Sequence, residues 1–384
     1  MEEKACSFNA IYISSNVMEV QKHLLHALEN NGVACKLYTY TLHRNSYQYE
    51  RIDNSVLYEC NSIFRGPLLY INRLKRVFNA FKDNSYIKQA SILHANMMSG
   101  DGYLCRLLSK EYHLPYVVSV RNTDIHLWFL WKLPWLKREY FKVLLDSEAI
   151  IFLNQPYIEK LLSKFSKKKA ELIRKKCIVI PNGIDDYWLN NIYKNRKPLT
   201  KTIKLITAGR IERNKNQLLV AKAINELSQE TDHIFEYTII GDVKDKEMGE
   251  ELKKYSFVTI KPFMNKEPLL LEFRDSDIYI MPSHTETFGL VYAEAMTQGL
   301  PLIYTKGQGF DKQFEDGTVG FPVNSHSIEE IKNAILRVAN NYNRVTESSI
   351  YLCERFKWSS VATSLTKVYS MALNTFEGRR RGKN

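Results

Sequence analysis

The chain has 384 residues, and 54 Lys and Arg against 42 Asp and Glu leave a net charge of +12. With 45% hydrophobic and 12% aromatic residues, and only 16 Gly and 11 Pro, it is neither a disordered nor a fibrous polypeptide. A chain of this length divides into about two domains, each able to bury its own core without a disulfide or a structural metal.

The cysteines, Cys6, Cys35, Cys60, Cys105, Cys177 and Cys353, include no Cys-x-x-Cys pair and have no histidine at metal spacing, the pattern of reduced cytosolic thiols. The start, MEEKACSFNAIYISS, lacks the basic region and long apolar run of a secretory signal, and no stretch is apolar for long enough to span a bilayer. A cytoplasmic protein is expected, whose excess charge calls for nucleic acid, anionic lipid or a phosphorylated ligand.

In chain order, short β-branched runs alternate with helical patterns. The first half offers strands at 9–15, 35–40, 91–96, 116–120, 149–154 and 177–183. After the first comes a helix in which Val20, Leu24, Leu25 and Leu28 recur at helical spacing before Gly32. The second half repeats the rhythm with strands at 203–209, 235–242, 256–263, 277–283 and 301–305. This alternation predicts an α/β chain of two Rossmann-like parallel-sheet domains. The expected division is 1–188, a basic linker at 189–202, and 203–357. Two such domains facing each other would place ligand groups in the loops that follow the strands, along a shared cleft.

The most informative stretch is DIYIMPSHTETFGLVYAEAMTQGLP at 277–301. A strand runs out at Met281, a polar loop carries Glu286, and a helix opens near Gly289 with Glu294 inside it. Gly289 removes the side chain at the helix start, so the amides of Gly289, Leu290 and Val291 can meet an anion. A phosphate there would leave Glu294 about one turn away, able to accept from a ribose diol. The bland alternative is a capped helix with one exposed and one structural Glu. The second element is ITAGRIERNKNQ at 206–217, in which a strand breaks at Gly209 into a loop bearing Arg210 and Lys215. A guanidinium fork and a mobile ammonium suit a diphosphate, although a basic loop is often merely solvated.

These segments, with PNGID at 181–185, IIGD at 239–242, the Glu286-x7-Glu294 motif, EAMTQGLPLI at 294–303 and EDGTVGFPV at 315–323, resemble glycosyltransferase family 4, whose members are retaining nucleotide-sugar enzymes of the GT-B fold. The ending FKWSSVATSLTKVYSMAL at 356–373 is similar to the family's last helix, which crosses back onto the N-terminal domain, here as 358–376. The resemblance implies that Arg210 and Lys215 neutralise the departing nucleoside diphosphate. Glu294 would bind the ribose and Glu286 the donor-sugar hydroxyls, while Gly289 and Leu290 present amides to the phosphates. Gly241 and the turn Lys261 to Phe263 match positions around the sugar and base. No cofactor and no metal are expected. Asp275, Ser276 and Asp277 spell the Asp-x-Asp string of another glycosyltransferase fold, but they precede a strand and predict a helix-to-strand turn.

The N-terminal half departs from the family. Where many members have a glycine pair, the loop reads SSNVMEVQ at 14–21, leaving Ser14, Ser15 and Asn16 as donors. YVVSVRNTD at 116–124 stands where many relatives end a strand in His-Gly-Thr-Asp, so Arg121 takes the histidine position and would supply a permanent cation to the donor sugar or phosphate. The alternative is an ion pair of Arg121 with Asp124 or Asp101. His94 is grouped with Ser15 and Asn16 at the acceptor or phosphate loop, and is expected to be a satisfied histidine beneath the cleft rather than an acid or base.

HLWFLWKLPWLKREYFK at 126–142 interleaves Trp128, Trp131 and Trp135 with Lys132, Lys137, Arg138 and Lys142. Its proline predicts two short helices or a helical loop. A second basic cluster runs over 164–176, and the tail reads GRRRGKN. Aromatics with cations suit an anionic membrane surface, contacted through 128–142 and 164–176. Aromatics packed under a loop, with lysines facing water, are the alternative. The expected activity is therefore transfer of a sugar, with UDP-sugars favoured over GDP-mannose, to a lipid-linked or oligosaccharide acceptor of a surface polysaccharide. A non-catalytic module of the same fold and a sugar-nucleotide epimerase are the rivals. Nucleic acid is not an expected partner, because no reader motif accompanies the charge.

Overall fold

The computed structural model describes residues 8–15, 18–41, 55–59, 69–126 and 131–381. They form two compact units. The first runs to Leu153, resumes over Tyr157–Pro181 and is completed from Trp358 onward; the second comprises Asn154–Pro156 and Asn182–Lys357.

In the first unit β1 (Phe8–Ser14), β2 (Val33–Thr41), β3 (Ser55–Glu59), β4 (Ile92–Ala95), β5 (Tyr116–Val120), β6 (Ala149–Phe152) and β7 (Cys177–Val179) form one sheet. Its order is β3-β2-β1-β4-β5-β6-β7, and every pairing is parallel. Its central strands are mostly apolar because helices cover both faces, and Tyr12, Tyr38, Tyr40 and Tyr116 are fully enclosed. The helix Glu19–Asn30 buries Leu24, Leu25 and Leu28 against one face. Beside it lies the closing helix Trp358–Arg381, which contributes Trp358, Val361, Leu365, Val368 and Tyr369 to the same core. Asn31 Nδ2 donates to Thr366 Oγ1 at 2.8 Å across that contact.

The second unit holds β8 (Thr202–Ala208), β9 (Ile234–Ile240), β10 (Val258–Lys261), β11 (Ile278–Met281), β12 (Leu302–Thr305) and β13 (Gly320–Val323). All its pairings are parallel, in the order β10-β9-β8-β11-β12-β13. Chain direction along the sheet reverses between β1 and β4 in the first unit and between β8 and β11 in the second. In open parallel sheets ligands bind beyond the strand ends at such switch points.

Three features differ from the sequence reading. β3 and β13 were not expected; both are edge strands, and β13 carries Pro322, which only an edge tolerates well. The division falls at Pro181/Asn182, ahead of the expected end at 188, because the Trp188 ring packs on Phe273 at 5.6 Å within the second unit. The segment 189–202 is no loose linker. Arg196 donates from Nε to the Gln298 carbonyl at 2.6 Å, from Nη2 to the Phe273 carbonyl at 2.6 Å, and from Nη1 to the Ser276 carbonyl. One guanidinium thus satisfies the ends of two buried elements that a polar, basic string does not reveal.

Asp275 ends the helix Lys266–Asp275 and Asp277 precedes β11, where its carboxylate accepts from the Lys204 amide at 2.8 Å. The Asp-x-Asp string is thus a helix-to-strand turn that fastens β11 to β8. Pro134 opens the helix Pro134–Asp146 and is separate from the short helix Asn122–His126.

Candidate functional site

In the second unit the loops after β8 and β11 meet at the switch point. Gly209 follows β8, its amide bonded to the Ile240 carbonyl at 2.8 Å. The chain then turns through a short 3-10 segment, Arg213–Lys215. Asn216 closes the turn in the left-handed region (φ 63°) and donates from Nδ2 to the carbonyls of Pro282 and Ser325 at 3.1 and 2.7 Å. Asn214 makes a reciprocal pair with Thr285: its Nδ2 donates to the Thr285 carbonyl and its Oδ1 accepts from the Thr285 amide, both at 3.0 Å. Two asparagines thus clamp the first loop to the second and aim Lys215 between them.

Lys215 Nζ lies 2.7 Å from Glu286 Oε2, with the side chains only 18% and 14% exposed. The sequence reading gave the two residues different ligand groups; the structure brings them together as one partly desolvated ion pair. The other Glu286 oxygen accepts from the Thr287 amide at 3.0 Å. Arg210 is 62% exposed and, among the described residues, pairs only with Glu212 at 3.5 Å.

Gly289 is left-handed (φ 76°), and a Cβ there would lie 2.4 Å from the Tyr292 ring. It precedes the helix Leu290–Thr297, whose first-turn amides at Leu290 and Val291 have no intrahelical acceptor. Glu294 lies one turn in. Burial first, then the nearby Asp185 carboxylate, push its carboxyl up to about 7, with Lys266 opposing. Lys266 Nζ contacts Asp185 Oδ2 at 2.6 Å, and Asp185 itself caps the helix Asp186–Asn190 by accepting from the Tyr187 amide. Gly241 follows β9 with φ 152°, and a Cβ on it would stand 2.3 Å from the Gly209 carbonyl oxygen. Bare backbone therefore joins the two strand ends. Lys261 is paired with Glu272 at 2.6 Å, and Phe263 is 67% exposed beyond it.

At the corresponding edge of the first unit, Ser14, Asn96 and Arg121 follow or end β1, β4 and β5. The Arg121 guanidinium pairs with neither Asp124 nor Asp101. Its Nε donates to the Asn96 carbonyl at 3.1 Å and its Nη2 to Asn96 Oδ1 at 3.0 Å. Asp124 is instead filled by the amides of Met98, Ser99 and Arg121, each at 3.0 Å. The Ser15 amide donates to Asp101 Oδ1 at 3.0 Å; burial pushes that carboxyl up to about 7. His94 is enclosed, with Nδ1 2.7 Å from the Tyr369 hydroxyl and Nε2 2.9 Å from Ser119 Oγ, and burial holds it down at about 3. It supports the edge from below as a neutral ring. Asn16 and Trp128 lie outside the described residues.

The sequence reading missed Asn214, Asn216, Asp185, Lys266 and Asn96. A signal existed for Asn216, since Asn-Gln at a helix entry suits a left-handed turn. Asp185 stands in the PNGID segment but was given no role, and its partner Lys266, like the partners of Asn96, is far away in sequence.

Two family models match the chain: Glycosyltransferase Family 4 over residues 20–187 and Glycosyl transferases group 1 over residues 190–351. A D-inositol 3-phosphate glycosyltransferase of Paenarthrobacter aurescens (strain TC1) is 25% identical over 260 residues, 63% of this chain and 62% of that protein. Another, from Nocardia farcinica (strain IFM 10152), is 30% identical over 139 residues, 35% of this chain. The chain spans 31% and 62% of the lengths of these two relatives. Among solved structures, the apo form of the lipopolysaccharide outer core galactosyltransferase WaaB superposes with a TM-score of 0.69 at 13% identity, covering 96% of this chain and 99% of that one. At that identity the likeness speaks to the fold alone.

Proposed function

Because this chain belongs to glycosyltransferase family 4 and has its GT-B fold, we propose that it transfers a sugar from a nucleotide-sugar donor to an acceptor hydroxyl, with retention of anomeric configuration. The observation that carries this reading is the Lys215–Glu286 pair, held beside the open amides of Leu290 and Val291 at the switch point of the second sheet. The donor diphosphate would sit on those amides, with Lys215 shared between it and Glu286, and Arg210 folding in from solvent. Glu294 would accept from the ribose hydroxyls. The acceptor oxygen bonds to the anomeric carbon as the bond to the phosphate oxygen breaks, and the leaving phosphate oxygen takes the acceptor's proton. The developing negative charge is met by fixed cations and amides, an electrostatic role that calls for no metal.

A UDP-sugar is the donor we favour; a fold neighbour, Anabaena HepE, was solved in complex with UDP. The acceptor in this reading is a lipid-linked or polysaccharide hydroxyl in surface polysaccharide synthesis, reached at the inner face of a membrane. Among the described residues no helix is long and apolar enough to cross a membrane. A surface contact is supported by the groove of about 370 Å³ between the helices Pro134–Asp146 and Lys167–Arg174, where Lys137 and Lys169 ride over Phe165 and Phe141. Trp135 and Leu172 stand exposed on the same helices. Trp131, by contrast, is packed, its Nε1 donating to the Asp124 carbonyl at 3.1 Å.

The test is turnover with a panel of nucleotide sugars, alongside Lys215→Ala. Losing that cation should lower kcat about 100-fold or more with the fold intact. Unchanged biological activity in the variant would favour a non-catalytic module, and conversion of donor without acceptor would favour an epimerase.

A further inference from the structure

The turn that follows β13 lies at the edge of the second sheet, with β12 between it and the switch point. Two side chains bring it to the site all the same. Asn216 gives one of its Nδ2 bonds to the Ser325 carbonyl, so the loop after β8 is fastened to this turn as well as to Pro282. The loop after β11 is fastened to it by His284. The Nδ1 of His284 lies 3.1 Å from Ser325 Oγ, and its ring stacks on His326 with centroids 4.7 Å apart and planes 21° from parallel. This platform is itself fixed. Ser325 is buried, the Asn324 side chain accepts from the His326 amide at 3.0 Å, and Ser327 Oγ caps the helix Ile328–Asn340 by accepting from the Glu330 amide at 3.1 Å. Burial, then the neighbouring His326, hold His284 below the ordinary histidine range, so at pH 7 it is a neutral ring that stacks without charge repulsion.

The main chain of His284 leads straight to the Lys215–Glu286 pair. Its amide donates to the Asn214 carbonyl at 2.8 Å, and the next residue, Thr285, exchanges two bonds with the Asn214 side chain. Glu286 follows, and its partner Lys215 stands between Asn214 and Asn216. The loops after β8, β11 and β13 thus close a triangle: Asn214 to His284 and Thr285, Asn216 to Ser325, and Ser325 to His284. Opening the third side frees the His284 end of the β11 loop from the β13 turn. Two charged groups carried on separate loops keep a fixed spacing only while both loops are held, and small misplacements of such groups are costly. We propose that His284 is a positioning residue, buttressed by Ser325 and His326, that holds Glu286 in register with Lys215 for the donor. What the pair binds is taken from the transferase reading above; the coupling of His284 to Glu286 is independent of it.

Two quantities test this on the full chain: UDP-glucose binding by calorimetry, and amide hydrogen exchange without ligand at Thr285 and Thr287, whose amides bond to Asn214 Oδ1 and Glu286 Oε1. His284→Ala and Ser325→Ala should each weaken UDP-glucose about fivefold and speed both exchanges by a similar factor, the loss of one hydrogen bond, with the overall thermal transition preserved. The double variant should be little worse than either single one. His284→Asn places an amide atom near the position of Nδ1 and should restore most of both quantities, whereas His284→Gln, one bond longer, should not. In a Glu286→Ala background His284→Ala should weaken UDP-glucose no further, because it acts through that carboxylate. A full additional loss in that background, or a His284→Ala protein whose affinity and exchange match the wild type, would overturn the proposal. If the wild type binds no nucleotide sugar, the donor reading fails instead, and exchange decides the coupling by itself: faster exchange in His284→Ala than in His284→Asn supports it, and equal rates in His284→Ala and the wild type overturn it.

Discussion

Replacing Glu294 by Gln should make the protein more stable, by an amount that grows with pH. The Glu294 carboxyl is moved from 4.5 to about 7, chiefly by burial and then by Asp185. Its folded-state value lies above the unfolded one. The favourable contribution is therefore complete below pH 4.5 and is lost as pH rises through about 7. That displacement corresponds to about 3 kcal/mol at 1.36 kcal/mol per pH unit. Glu294→Gln keeps the shape and carries no charge, so its stability relative to wild type should climb by about 3 kcal/mol between pH 4.5 and 8. Urea unfolding of both proteins across this range, followed on the transition of the second unit, measures the difference directly; other titrating groups cancel in the comparison. In parallel, uridine, which has no phosphate to titrate, should bind the wild type more tightly as pH rises toward 7, because its ribose donors favour the carboxylate. A difference that stays flat from pH 5 to 8 would mean that Glu294 ionises as freely in the folded as in the unfolded chain, and would refute the reasoning.

Gly241→Ala should cost about 3 kcal/mol in urea unfolding, since its methyl would press on the Gly209 carbonyl and the backbone must move; a loss below about 0.5 kcal/mol, ordinary for a surface position, would show that the two strand ends are not closely joined. Lys167→Gln, Lys168→Gln and Lys169→Gln together should weaken sedimentation with vesicles containing phosphatidylglycerol by about 3 kcal/mol, or roughly 100-fold, at about 1 kcal/mol per cation. Wild-type binding that ignores both the anionic lipid and added salt would refute the surface contact.

The alternation of apolar runs with helical patterns exposed most of both sheets, because parallel strands covered on both faces must be apolar nearly throughout. It failed at two of the four edges, β3 and β13, although β7 and β10 were read correctly; β13 is broken up by Gly320 and Pro322, which hide its apolar run. Candidate residues stood out where a strand ended in a glycine or in a charged loop: Arg210, Lys215, Glu286 and Glu294 could be singled out as candidates from their own neighbourhoods. What could not be read was who faces whom. The Lys215–Glu286 contact bridges 71 positions, Lys266–Asp185 bridges 81, and the Arg121–Asn96 bond bridges 25. Such pairings are products of sheet order, and local pattern carries no trace of them. The same holds for Arg196, whose basic surroundings suggested solvent while its partners are carbonyls at the ends of distant elements.

The closing helix has a bearing on how the chain is made. Trp358, Leu365 and Tyr369 fill a core whose other walls, Leu24, Leu28 and β1, are synthesised first, with the whole second unit in between. During translation the earlier sheet therefore emerges with one apolar face only partly covered and waits for about 175 further residues, roughly 10 to 35 seconds at 5–20 residues per second. The second unit, contiguous apart from Asn154–Pro156, can close on itself in that interval. Order of synthesis and order of completion are thus reversed. A ribosome that stops short of Trp358 would release a finished second unit tethered to an unfinished first one, the kind of product that chaperones and proteases detect by its uncovered surface.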